Sequence, residues 1–192
     1  MNEDLKYRKA EPADAERIME IIRQAQAQMR ALGSLQWQDG YPARADIDRD
    51  IARGYGYVFE KSGAAENPAA AGTPQKYDKG RASGAVIAYG AVVFDGEPAY
   101  GAIDGAWLTG GDYVVLHRLA VADGEKGRGV AAEFMRRTEA LARGRGVGSF
   151  RVDTNFDNRY MLRMLERLRF AYCGKIIYES GERLAFEKPL EA

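Results

Sequence analysis

Residues Tyr113 to Arg143, YVVLHRLAVADGEKGRGVAAEFMRRTEALAR, put an apolar run, a glycine-punctuated polar turn and an amphipathic period in direct succession. Tyr113 to Val121 lacks in/out alternation and is rich in β-branched residues, which predicts a strand buried on both faces. Gly124, Gly127 and Gly129 then surround Glu125, Lys126 and Arg128. A helical period follows, with Val130, Phe134, Thr138 and Leu141 on one face and Ala131, Met135 and Ala142 beside them.

A strand feeding a glycine-rich turn that opens a helix is a device for holding an anion. The first helical turn leaves about four N–H groups without partners, and the aligned peptide dipoles put roughly half a positive charge there. Glycines admit positive φ and close backbone approach, and Lys126 and Arg128 add side-chain charge. A plain strand-to-helix connection also needs small residues, so the spacing alone leaves both readings open. No GxxxxGK[ST] run exists in the chain. Gly127-x-Gly129 with Ala132 approximates a dinucleotide fingerprint, but it follows earlier strand-like runs instead of opening a first βαβ unit.

These residues carry a resemblance. Lys126, Gly129 and Ala131 resemble the R/Q-x-x-G-x-G/A loop of the GNAT (Gcn5-related N-acetyltransferase) superfamily, with Lys in place of Arg or Gln. The segment DTNFDNRYMLRMLERLRFAYCG, Asp153 to Gly174, is similar to the strand, Asn-led helix and Phe-led strand that come next in that family. YRKAEPADAERIMEIIRQAQ with the later QWQDGYP resembles the opening of many bacterial members. The matches cover most of the chain outside residues 61 to 84.

The resemblance implies an α/β (α+β) fold, a mixed and mostly antiparallel sheet with flanking helices. Its central strands, Tyr113 to Val121 and Ser149 to Thr154, would splay apart. It also implies acetyl-CoA as co-substrate, with the pantetheine arm between those strands against the backbone of Leu119 and Val121. The pyrophosphate would lie on Lys126, Gly127, Arg128, Gly129, Val130 and Ala131, and Asn158 would stand near the pantetheine.

Taken in order, the remaining patterns predict a strand at Lys6 to Lys9, a helix from Pro12 to about Leu32, and a short helix from Asp46 to Arg53. Strands are expected at Tyr55 to Lys61, Gly84 to Phe94, Phe170 to Tyr178 and Arg183 to Lys188, and a helix at Asn158 to Leu168. Residues 61 to 84, rich in Ala, Gly and Pro, read as a mobile insertion in a single domain of residues 1 to 192. Asp95 to Asp112 reads as a second glycine-rich connection.

Composition excludes several classes. Formal net charge is zero, which disfavours nucleic-acid binding through a broad basic field. Cys173 and His117 are the only residues of their types, so neither a disulfide framework nor a His/Cys metal site is expected. No apolar run approaches the roughly 20 residues that span a bilayer, and the N-terminus lacks a signal-peptide core. A cytoplasmic location without membrane partners is the expectation. The residues leave a homodimer open.

For the chemistry, His117 is the candidate base, since an imidazole titrates near neutrality and strand alternation puts it on one face with Val115, Leu119 and Val121. Alternation turns Arg118 the other way, toward a structural role. Many relatives carry a Tyr seven residues after the helix-opening Asn; here that position is Leu165, and either a nearby phenol, Tyr160 or Tyr172 with Tyr160 the candidate, or solvent would protonate the thiolate. Arg169 stands where a Gly usually precedes the Phe. Trp37, Asp39 and Tyr41, on a loop, are candidate substrate contacts for a small cationic amine. The expected activity is N-acetyl transfer from acetyl-CoA to a primary amine by direct attack. A non-catalytic acyl-CoA-binding module and a nucleotide-binding protein are the alternatives.

Overall fold

The structure is a computed structural model that describes residues 5–62 and 84–190. The insertion expected at 61 to 84 lies, but for its end residues, outside them. Eight strands form one sheet: β1 (Leu5–Lys9), β2 (Gly56–Lys61), β3 (Ala85–Val93), β4 (Asp104–Gly105), β5 (Tyr113–Val121), β6 (Ser149–Thr154), β7 (Ala171–Tyr178) and β8 (Gly181–Pro189). Their order is β1-β2-β3-β5-β6-β8-β7-β4. Every neighbouring pair is antiparallel except β5 and β6. Strand β4 was not foreseen in the 95 to 112 connection; Asp104 pairs with Lys175 of β7.

Four helices cover the sheet: α1 (Ala15–Ala31), α2 (Arg44–Ala52), α3 (Val130–Gly144) and α4 (Arg159–Arg167). On one face Ile18, Ile21 and Ile22 of α1 and Ile47 of α2 pack against Val58 and Tyr89. On the other, Phe134 and Met135 of α3 and Met164 and Leu165 of α4 pack against Phe59, Val114 and Phe150. Each such fully buried side chain stabilises the fold by about 1.5–3 kcal/mol.

All four helices stop in the same way. After α1, the Gly33 and Ser34 amides return to the carbonyls of Arg30 and Met29, and Gly33 adopts φ 74°. That is a Schellman motif, which satisfies carbonyls left over at a helix end. Gly54 and Gly146 repeat it after α2 and α3. After α4 the left-handed position is filled by Arg169, at φ 64°, whose own amide and that of Phe170 make the corresponding bonds to Glu166 and Leu165.

Two irregularities in β5 create the site. Pairing with β6 runs only from Tyr113↔Ser149 to Val115↔Arg151, so the two strands part beyond that point. This is the expected splay. On the other edge, Tyr89 of β3 faces Ala120 and Ala91 faces His117, so two residues of β5, Arg118 and Leu119, oppose the single Gly90 of β3. The surplus is absorbed at Arg118, in the left-handed region at φ 56°, which is a β-bulge. Gly90 lies opposite. A Cβ there would come within 2.8 Å of Phe134 and 2.9 Å of Leu116, so only glycine lets β5 sit this close.

Candidate functional site

The loop after β5 begins with a turn of 3₁₀ helix at Asp123–Glu125. Gly127 and Gly129 follow at φ 75° and 81°, and a Cβ built on either meets nothing within 4 Å. The turn is therefore open in front of its backbone. Within α3 the first amide returned to the chain is that of Glu133, on the Gly129 carbonyl. The amides of Val130, Ala131 and Ala132 before it face outward with the positive end of the helix. Lys126 Nζ stands 2.6 Å from Asp123, and Arg128 is largely exposed, 3.7 Å from Glu125. A hollow of about 360 Å³ beside this turn is lined by Lys61, Arg128, Gly129, Val130 and Arg136, with Glu125 and Glu133. Its donors suit a diphosphate, and the freed edge of β5 suits an extended, amide-bearing arm.

The bulge changes the expected alternation. Leu119 and Val121 pack with the α3/α4 layer, whereas Val115 packs on the opposite face with Tyr100 and Ile176. His117 and Arg118, adjacent in sequence, both turn toward the α1/α2 face. Arg118 thus does not oppose His117, as strict period-2 geometry required, because the extra residue of the bulge cancels one half-turn.

His117 stands between two carboxylates. Its Nε2 is 3.2 Å from Glu97 Oε2, and its Nδ1 is 4.0 Å from Asp153 Oδ1. Glu97 arrives from the turn before β4, where its side chain also accepts the Ala99 amide. The hydrogen bond from His117 holds the Glu97 carboxyl below its ordinary value. Asp153 accepts the hydroxyls of Tyr100, at 2.7 Å, and Tyr178, at 3.4 Å. Burial first, then the charge of Asp153, raises the Tyr100 phenol well above its ordinary value and raises Tyr178 as well. Both phenols are hydrogen-bond donors to the Asp153 carboxylate. With Nε2 toward Glu97, Nδ1 is the ring nitrogen on the Asp153 side.

Arg118 is held by buried Asp50 of α2 through two bonds, Nε to Oδ2 at 2.8 Å and Nη2 to Oδ1 at 2.6 Å. Tyr89 donates to the same carboxylate at 2.6 Å. The remaining arm of Arg118 donates to the Tyr41 hydroxyl at 2.7 Å. Tyr41 belongs to the α1–α2 connection, which crosses the gap: Ser34 donates to Asp157 at 2.9 Å and Asn158 donates to Gln36 at 3.1 Å. This connection straps β5 to the start of α4. Trp37 is partly buried against the α1/α2 core, and Asp39 is exposed; both take positive φ, 60° and 57°.

Asn158 also caps α4, accepting the Met161 amide at 3.2 Å. Tyr160 is 60% exposed on α4, and Tyr172 is 55% exposed on β7. The phenols gathered at His117 are instead Tyr100 and Tyr178. Leu165 is fully buried in the α3/α4 core. Cys173 is buried, and burial pushes its thiol up. The larger hollow, about 470 Å³ between α4 and β7, includes none of the residues around His117. Glu97, Asp153, Tyr100, Tyr178 and Asp50 were not singled out from sequence, since no local spacing links position 97 to 117 or 153. Among the described residues no cluster of three or more His, Cys, Asp or Glu could hold a metal ion, and no helix is long and apolar enough to cross a membrane.

Residues 29–170 match the family model described as the acetyltransferase (GNAT) family. An acetyltransferase of the GNAT family from Streptococcus agalactiae 2603 is 33% identical, with a TM-score of 0.80 over 100% of this chain and 99% of its own. Another from Listeria monocytogenes 4b F2365 is 19% identical, with a TM-score of 0.70 over 97% and 95%. The NatC complex bound to Gag peptide and CoA contains a chain 13% identical, with a TM-score of 0.61 over 98% and 99%. The two more distant likenesses concern the fold alone. No curated protein matches the sequence.

Proposed function

Since the chain belongs to the GNAT acetyltransferase family, we propose that it transfers an acetyl group from acetyl-CoA to a primary amine of a small molecule, by direct attack and without a covalent enzyme intermediate. The observation that supports this reading is a juxtaposition. The open, unpaired amides at the start of α3 and the imidazole of His117 lie at the two ends of the stretch of β5 that has left β6.

The thioester supplies an activated acyl group. The residues that would hold it are Gly127 to Ala131 with Lys126 and Arg128 at the diphosphate, Leu119 and Val121 through their backbone, and Asn158 at the start of α4. The sheet face that carries His117 then receives the amine. Glu97 and Asp153 provide a negative surround for an ammonium, and His117 removes its proton through Nδ1. The α1–α2 strap, with Trp37, Asp39 and Tyr41, forms the outer wall for the rest of the acceptor. For reprotonation of the thiolate, Tyr160 is the proposed donor on the strength of its position two residues after Asn158.

Release of free thiol from acetyl-CoA, measured across polyamines, amino acids, aminoglycosides and peptides, tests the reading. Turnover on at least one small amine is expected. The second reading, an acyl-CoA-binding module without catalysis, is favoured by the burial of Leu165 where relatives place a tyrosine. Coenzyme A binding with no thiol release on any amine would select it.

A further inference from the structure

Among the described residues, one buried side-chain polar atom has no hydrogen-bond partner, the hydroxyl of Thr154. Thr154 is 1% exposed. Other buried polar side chains are engaged: Thr138 donates to the Phe134 carbonyl, Ser149 to Glu187, and Asp50 receives Arg118 and Tyr89. The residue after Thr154, Asn155, is also buried. A buried hydroxyl without a partner is costly, so a fold that keeps one invites an explanation.

Its place suggests one. Strand β6 pairs with β8 without a shift as far as Thr154↔Leu184, so its alternation is unbroken. Phe150 and Val152 face the α3/α4 layer, and Thr154 therefore faces the same way. The other edge of β6 has had no partner since Arg151. Thr154 thus ends the free edge of β6 on the face to which Leu119 and Val121 turn from the free edge of β5.

We propose that Thr154 positions the acyl donor, its hydroxyl donating a hydrogen bond to an amide carbonyl of the pantetheine arm. This rests on the acyl-CoA reading above. Valine has nearly the same shape as threonine and no hydroxyl, so it serves the core at least as well and the ligand not at all. The hydroxyl is accordingly retained for what enters the gap.

Calorimetric titration of the full chain with coenzyme A, and with adenosine 3′,5′-bisphosphate, which lacks the arm, tests this. Thr154→Val is expected to weaken coenzyme A by roughly tenfold while leaving the bisphosphate unchanged and the unliganded melting temperature equal or higher. Thr154→Ser is expected to restore coenzyme A affinity. A Thr154→Val protein that binds coenzyme A like the parent, or one weakened equally toward both ligands, overturns the proposal while leaving the acyl-CoA reading standing. A parent protein that binds neither ligand overturns both. If the valine variant does not fold, Thr154→Ala is read in the same two titrations.

Discussion

The two ends of the splayed part of β5 are built on different principles. At the α3 end the proposed functional groups are backbone amides from one short stretch, Gly127 to Ala132. At the His117 end they are side chains drawn from positions 41, 50, 97, 100, 153 and 178. A site made of main chain needs only the right local conformations, and glycines advertise those. A site made of side chains needs the whole sheet assembled first. Variants aimed at each end should separate the two, with coenzyme A affinity following one and turnover the other.

The largest effect is expected from His117→Ala. Loss of a positioned general base lowers kcat by about 10²–10⁴-fold, while coenzyme A affinity measured by calorimetry stays at the parental value. Retained turnover would remove His117 from the base role and dissolve the division of labour between the ends. At the other end, Gly129→Val forces a branched residue to φ 81°, at a cost of about 1–2 kcal/mol, and crowds the diphosphate. Coenzyme A affinity should fall by roughly tenfold or more, with kcat at saturation little changed.

Gly90→Ala attacks the feature that joins the ends. Its new methyl group meets Phe134 and Leu116, and overpacking of this kind costs about 1–3 kcal/mol. The melting temperature should drop by several degrees, about 2–4 °C for each kcal/mol, and turnover should fall with it as the bulge shifts. A smaller gain is expected away from both ends: Arg169→Gly relieves a left-handed arginine and should stabilise by about 1 kcal/mol, read as a raised melting temperature with kinetics unchanged.

The smallest effect is a pH dependence. Glu97 titrates below its ordinary value of 4.5 in the folded protein. A depressed carboxyl contributes stability that is present above that ordinary value and is lost as pH falls through the folded one. The difference in denaturation midpoint between the parent and Glu97→Gln should therefore close as the pH is lowered from 4.5. A gap that stays constant to low pH would show that the His117 contact does not set this carboxyl.

Much of the architecture could be read from residue order. Tyr113–Val121 and Ser149–Thr154 coincide with their predicted spans; the first is a mostly apolar run, and the second, SFRVDT, alternates polar and apolar residues, both of them local patterns. Helix ends shifted by a residue or two where capping decides the last turn, as at α2, which begins at Arg44 and not Asp46. Strand β4 was missed because two residues bound to the edge of β7 carry no pattern of their own.

What the sequence determined by itself is therefore the strand, the glycine turn and the helix of the proposed anion-binding end, together with the family that this order belongs to. The reason is that φ preference and helix initiation act over a few neighbouring residues. The tertiary structure alone decided that His117 and Arg118 share a face, that Glu97 and Asp153 flank the imidazole, and that Tyr41 is tied back to β5. The facing of Arg118 and its tie to Tyr41 depend on the bulge opposite Gly90, and a bulge is settled by how β3, β5 and Phe134 pack together, across separations that no local pattern spans.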